Sequence, residues 1–281
     1  VTGVQTCALP ISSDGTSIGR VVITFTRVPG VTMSRVYRSS GGNPAVPIAY
    51  TDRSPFEDKT AEPAVLYTYS MTSVTALGET AQSNTDTGWR NINATSRVTA
   101  TDGSFTDRVT ISWTPSAGAT DYELWRSKSG VNGSDPADAP VLLTTTANLT
   151  FTDLTALPGT LFSYSLFPRC ALGRSTVGTS DLGWCNILPP TGVTATDGTS
   201  NVLVLVQWDA ALNATGYAVY RLDPASATGP VRIGSTRAAV RNFSDRTARP
   251  GKLYYYTVRS TVTQGRSEEH TSELQSRFGI S

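Results

Sequence analysis

Alternation with period two is the dominant signal along this chain. Val21/Ile23/Phe25, Val109/Ile111/Trp113 and Val204/Val206/Trp208 each put apolar side chains at every second position. One face of such a segment turns to a core and the other to solvent, the mark of a half-buried strand. The following strand alternates too, with Tyr122 and Leu124 inward, matched by Tyr217 and Val219. A turn rich in Pro, Gly and Ala (114–120 in the middle copy) lies between the two strands. Farther on, a proline turn leads into an aromatic strand. Pro63 precedes Tyr67-Thr68-Tyr69, Pro158-Gly159 precedes Phe162-Ser163-Tyr164, and Pro250-Gly251 precedes Tyr254-Tyr255-Tyr256. About seven short strands per stretch of under ~100 residues predict an all-β chain of two-layer sandwiches.

The pattern occurs three times. Asp14-Gly15, Asp102-Gly103 and Asp197-Gly198 are spaced 88 and 95 residues apart. Phe25, Trp113 and Trp208 keep those spacings, as do Tyr37-Arg38, Trp125-Arg126 and Tyr220-Arg221. Tyr69, Tyr164 and Tyr256 each stand nine residues before a glycine. Landmarks in constant order at near-equal spacing mean tandem copies of one unit. The expected boundaries are 13–90, 91–185 and 186–265.

These units resemble fibronectin type III modules, of the kind arrayed in bacterial surface and secreted proteins. The resemblance is carried by the core Trp of the second strand, the Tyr-x-Leu/Val-x-Arg third strand and the P-G-x-x-Y turn. It implies three tandem immunoglobulin-like sandwiches. The family's tyrosine corner maps onto Tyr67 and Tyr254, while the middle unit has Phe162 there and so lacks the corner hydroxyl. The first unit departs further, with Phe25 for the core Trp and Pro63-Ala64 for Pro-Gly.

The two ends do not share the pattern. The string GGAGTTCAGACGTGTGCTCTTCCG encodes Gly3 through Pro10, and its reverse complement, one base out of frame, encodes Glu268 through Leu274. Residues 1–12 and 266–281 therefore look like a translated sequencing adapter. They hold the single histidine, His270, and one cysteine, Cys7. On this expectation the first unit lacks its first strand and the third its last, which leaves an unpaired edge on the third; only the middle unit is whole, its last strand expected at about 175–181.

Composition changes little. Net charge is +1, or +2 without the C-terminal segment, whose Arg266 and Arg277 face Glu268, Glu269 and Glu273. That argues against nucleic-acid binding, which needs a concentrated basic face. No apolar run approaches the ~20 residues of a membrane span. Phosphate loops, metal-spaced Cys/His sets and a nucleophile with a histidine base are not found, so no cofactor and no catalytic residue is expected.

Trp113 and Trp208 point inward and read as core. Tyr37, Trp125 and Tyr220 point outward at equivalent positions. Either they form repeated stacking platforms for polysaccharide or a protein partner, or they belong to an ordinary sheet surface covered by neighbouring arginines. Trp89 and Trp184, in Gly-Trp pairs before Asn-Ile, are expected to pack between adjacent units. Cys170 and Cys185 sit too far apart in strand register for a disulfide, about 30 Å against a limit of about 7 Å. The function expected is a monomeric, non-catalytic spacer or adhesion segment, extracellular or at the cell surface. The alternative is an accessory region, able to bind carbohydrate, of a secreted polysaccharide-degrading enzyme.

Overall fold

A computed structural model describes residues 9–129 and 139–262, and every regular element in it is a strand. The first unit comprises β1 (Ile11–Ser12), β2 (Val21–Thr24), β3 (Met33–Ser40), β4 (Val46–Thr51), β5 (Phe56–Asp58), β6 (Leu66–Thr75), β7 (Gly78–Glu79) and β8 (Asp86–Trp89). The second comprises β9 (Val98–Ala100), β10 (Val109–Trp113), β11 (Asp121–Lys128), β12 (Val141–Thr146), β13 (Thr150–Asp153), β14 (Leu161–Cys170), β15 (Gly173–Arg174) and β16 (Thr179–Trp184). The third comprises β17 (Thr194–Ala195), β18 (Val204–Gln207), β19 (Gly216–Leu222), β20 (Val231–Arg237), β21 (Asn242–Asp245) and β22 (Tyr255–Thr261).

Each unit is a pair of antiparallel sheets. In the second, β9–β10–β13 faces β12–β11–β14, with β15 and β16 on the outer edge of β14. The first unit repeats this as β1–β2–β5 against β4–β3–β6–β7, with β8 also on β6. The third shows β17–β18–β21 against β20–β19–β22. Putting the first, second and fifth strands in one sheet, and the remainder in the other, gives the fibronectin type III arrangement of the β-sandwich.

Alternation explains the cores. Along β14 every second residue is buried, from Phe162 and Tyr164 to Leu166, Pro168 and Cys170. Three separate clusters result, one inside each unit. They centre on Ile23, Val36 and Tyr69; on Ile111, Leu124 and Tyr164; and on Val206, Val219 and Tyr256. Trp113 meets Tyr122 at 5.7 Å and Trp208 meets Tyr217 at 5.4 Å between ring centroids.

Two expectations need correction. The first unit does have a first strand, because Ile11 pairs with Thr24 and Ser12 with Ile23. Ladder hydrogen bonds use only backbone groups, so a segment outside the repeat's side-chain pattern can still supply them; Ile11 is 68% exposed and adds little to the core. The last strand of the second unit also lies later than the expected 175–181. Ser175 leaves the hairpin in a local turn, its hydroxyl donating to Val177 O, and pairing resumes at Thr179 and continues to Trp184. The expected loss of the third unit's last strand concerns positions outside the described residues.

Candidate functional site

The outward aromatics occupy a recurrent irregularity. The register of the third strand against the fourth shifts at Val36/Tyr37, Leu124/Trp125 and Val219/Tyr220. The extra residue of each bulge lies on the fourth strand, at Ile48, Leu143 and Ile233, and the aromatic is the first residue of the third strand paired beyond it. All three rings are half-buried and engaged. The Arg35 guanidinium lies 5.3 Å from the Tyr37 ring, and the Tyr37 hydroxyl donates to Glu79 at 2.9 Å. Trp125 Nε1 donates to Glu123 at 3.2 Å, and the same carboxylate takes Arg174 at 2.9 Å. Arg259 covers Tyr220 at 4.7 Å. Desolvation, followed by the bond to Glu79, raises the Tyr37 phenol above its usual range.

Beneath this surface is a feature that the sequence reading missed. Asp153 at the end of β13 is 2% exposed and collects four donors. Arg126 Nη1 reaches one oxygen at 2.6 Å and the Tyr164 hydroxyl reaches it at 3.0 Å. The Thr155 amide and hydroxyl reach the other at 2.9 and 2.7 Å. Arg126 also donates to the Thr155 hydroxyl at 2.9 Å, closing a ring of bonds, and its guanidinium lies 4.6 Å over Phe162. The first unit repeats the set with Asp58, Arg38, Tyr69 and Thr60, the third with Asp245, Arg221, Tyr256 and Thr247. Burial by itself would raise each aspartate, but the threonine, arginine and tyrosine donors outweigh it and hold all three carboxyls below the usual range. Conversely, burial and the adjacent carboxylate raise the three tyrosines. A signal was available: an Asp-x-Thr triplet recurs at 58, 153 and 245 in step with the repeat.

The third group lies where units meet. The Trp89 ring rests on Gly15, whose φ is +63° and where any Cβ would collide with it. From the next unit Gly173 closes on the same ring, so near that a Cβ there would lie 3.2 Å away. Trp89 clusters with Ile92 and Cys170, flanked by Ala64, Ala119 and Leu172. Asn91 Nδ2 bridges the units, donating to Gly15 O at 2.9 Å and Arg174 O at 3.4 Å. At the second junction the described residues repeat the tryptophan, the isoleucine and the end of the sixth strand. Trp184 rests on Gly103, where a Cβ would lie 2.6 Å from the ring. It clusters with Ile187 and Val262 beside Leu161 and Ala214, and Asn213 Nδ2 donates to Pro158 O at 2.6 Å. Ala64, standing where the other units have Gly159 and Gly251, adopts the same left-handed backbone at φ +60°.

Cys170 and Cys185 are both buried free thiols. Cys185 lies in the core of the second unit, and burial pushes its thiol up to about 11. Among the described residues no group of three His, Cys, Asp or Glu is placed to hold a metal ion. No helix of the described residues is long and apolar enough to cross a membrane.

The class that this architecture defines is a tandem array of fibronectin type III-like β-sandwiches. No protein-family profile and no curated protein sequence matches the chain. Among solved structures it is similar to a two fibronectin type III domain segment from chicken tenascin, at 13% identity and TM-score 0.46, over 62% of this chain and 96% of that one. It is also similar to the FN1–FN3 domains of chicken CNTN1, at 13% identity and TM-score 0.29, over 91% of this chain and 95% of that one. The architecture itself rests on the strand pairing described above.

Proposed function

We propose that this chain is a non-catalytic spacer or adhesion segment, extracellular or at the cell surface, with units at 13–90, 91–185 and 186–265. Trp89 and Trp184 stiffen it by packing between those units. The observation that carries this reading is the equivalence of the two junctions. Each joins a Trp-x-Asn-Ile segment to the turn after the second strand (Ala119, Ala214) and to the end of the sixth strand (Cys170, Val262) of the next unit. Such repetition propagates one orientation from unit to unit, which suits an element that holds things at a distance. On this reading Tyr37, Trp125 and Tyr220 belong to the sheet surface, as their engagement with Arg35, Glu123 and Arg259 supports.

Small-angle scattering tests the proposal. The intact chain is expected to fit one extended conformer, and the double variant Ile92→Ala/Ile187→Ala, which trims one apolar anchor from each junction, to require a broad ensemble. A wild-type curve that itself demands freely reorienting units removes the spacer reading.

A further inference from the structure

We propose that a groove on the outer face of β17–β18–β21, in the third unit, is a binding site for a saccharide that carries a carboxylate. Arg241 clamps the acid, and Thr194, Gln207, Asn242 and Asp209 bind the hydroxyls. The proposal is separate from the spacer reading and can fail without it. It also lies on the sheet opposite to the one that bears Tyr220.

Register builds the floor of the groove. Thr194 pairs with Gln207 and Gln207 with Asn242, and directly opposed residues of neighbouring strands stand about 5 Å apart on one face. All three are exposed, while Trp208, the next residue after Gln207, turns inward and is buried. Two turns set the ends. At one, the Asp209 N–H donates to Thr191 O at 2.8 Å, and its Oδ2 takes the Thr191 hydroxyl at 3.4 Å. Gly192 lets this carboxylate approach, since a Cβ there would stand 2.3 Å from Oδ2. At the other end the Val240 N–H closes a turn on Arg237 O at 2.9 Å, and Arg241 O accepts the Trp208 N–H at 3.2 Å. With Val240, these residues line a groove of 600 Å³, within the range of about 300–1,000 Å³ typical of ligand pockets.

The lining has unused bonding capacity. The ion pairs of this unit are Arg221–Asp245 and Lys252–Asp223. Among the described residues the side chains of Gln207, Asn242 and Arg241 have no hydrogen-bond or ion-pair partner. An amide both donates and accepts, a guanidinium only donates and a carboxylate only accepts. A hydroxyl-rich ring bearing one carboxylate meets all of these groups, and the guanidinium takes a planar carboxylate through two parallel bonds. The surrounding charge favours an anion. Residues 186–265 carry eight Lys and Arg against four Asp and Glu, where 91–185 carry six against eight. The groove offers no exposed aromatic on which a nucleic-acid base could stack.

The other units do not repeat it. In the second, Leu149 accepts the Trp113 N–H as Arg241 accepts that of Trp208. Ser112 stands for Gln207 and bonds Thr99 at 2.8 Å, and Thr114 stands for Asp209 and bonds Ser96 at 2.8 Å. In the first, the pair is Ile11 and Thr24. The groove is thus particular to one copy and is not a consequence of the sandwich itself.

Calorimetric titration of the full chain with tetragalacturonate tests the proposal. Saturable one-to-one binding is expected. The methyl-esterified tetramer, which keeps its ring hydroxyls and loses its charge, should bind about tenfold or more weakly. Arg241→Leu, matching the second unit, should weaken binding by a similar factor, and Gln207→Ala by about threefold or more. Arg97→Leu, on the second unit, should leave it unchanged. Undetectable binding, equal affinity for the esterified tetramer or undiminished binding by Arg241→Leu overturns the proposal. Tetraglutamate binding as tightly as the saccharide also overturns it, because charge alone would then be recognised. The saccharides are compared on the unaltered protein, so that result stands whatever a variant does to folding.

Discussion

Asp153 shows what a single residue does in this fold. It is buried with its charge, and its neighbours Arg126, Thr155 and Tyr164 are arranged around that charge. A buried ion pair is not in itself strongly stabilising, because desolvation consumes most of the attraction, but removing one partner strands the other. Asp153→Ala is therefore expected to cost about 3–5 kcal/mol, read from the shift in urea midpoint of the second unit's transition. A cost under about 1 kcal/mol, the range of exposed pairs, would show that solvent reaches Arg126 freely. The same arithmetic makes Asp58 and Asp245 the sensitive acids of their units, whereas exposed pairs such as Arg53–Asp52 contribute little.

At the scale of elements, the informative unit is the turn and strand that lock together at Gly103 and Trp184. The turn's glycine is needed twice over, for its backbone at φ +64° and for the ring lying where a side chain would be. Gly103→Val should cost about 2–4 kcal/mol, combining left-handed strain with displacement of the indole. Gly30 offers the control. It has φ +80° with nothing within 4 Å of a Cβ, so Gly30→Ala should cost only the backbone strain, about 1–2 kcal/mol. Equal costs in thermal unfolding would mean that the tryptophan contact contributes nothing. Trp89 and Trp184 were legible in the sequence as paired landmarks, but not as plugs over a turn 74 and 81 residues earlier in the chain.

For the molecule as a whole, three copies of one network imply one shared pH response. The folded state holds Asp58, Asp153 and Asp245 below their usual range, so it binds fewer protons than the unfolded chain in acid. Their contribution is fully present above the unfolded value of about 3.9 and is lost as pH falls below it toward the folded values. Melting temperature should thus be flat with respect to these groups from pH 7 to 5 and fall steeply below about pH 4. All three units should respond together, whereas a single acid-labile unit would contradict the equivalence of the networks. Asp153→Asn should flatten the acid limb of the second unit alone.

How much of this was legible follows from what kind of information each feature needs. Alternation at Val109/Ile111/Trp113 and its copies determined strands, faces and the number of units, because burial on a pleated strand is a local, period-two property. The Arg126–Asp153–Tyr164 network, the bulge at Leu143 beside Trp125 and the stacking of Trp89 between Gly15 and Gly173 were decided only by tertiary structure. Each brings together residues from different strands, and for Trp89 from different units, whose chemistry looks ordinary until pairing and register set them a few ångströms apart. Even β1 belongs with these, since its backbone pairs with β2 although its side chains carry none of the repeat's pattern. Local periodicity can specify which way a side chain faces; which other side chain it meets depends on how the strands are threaded.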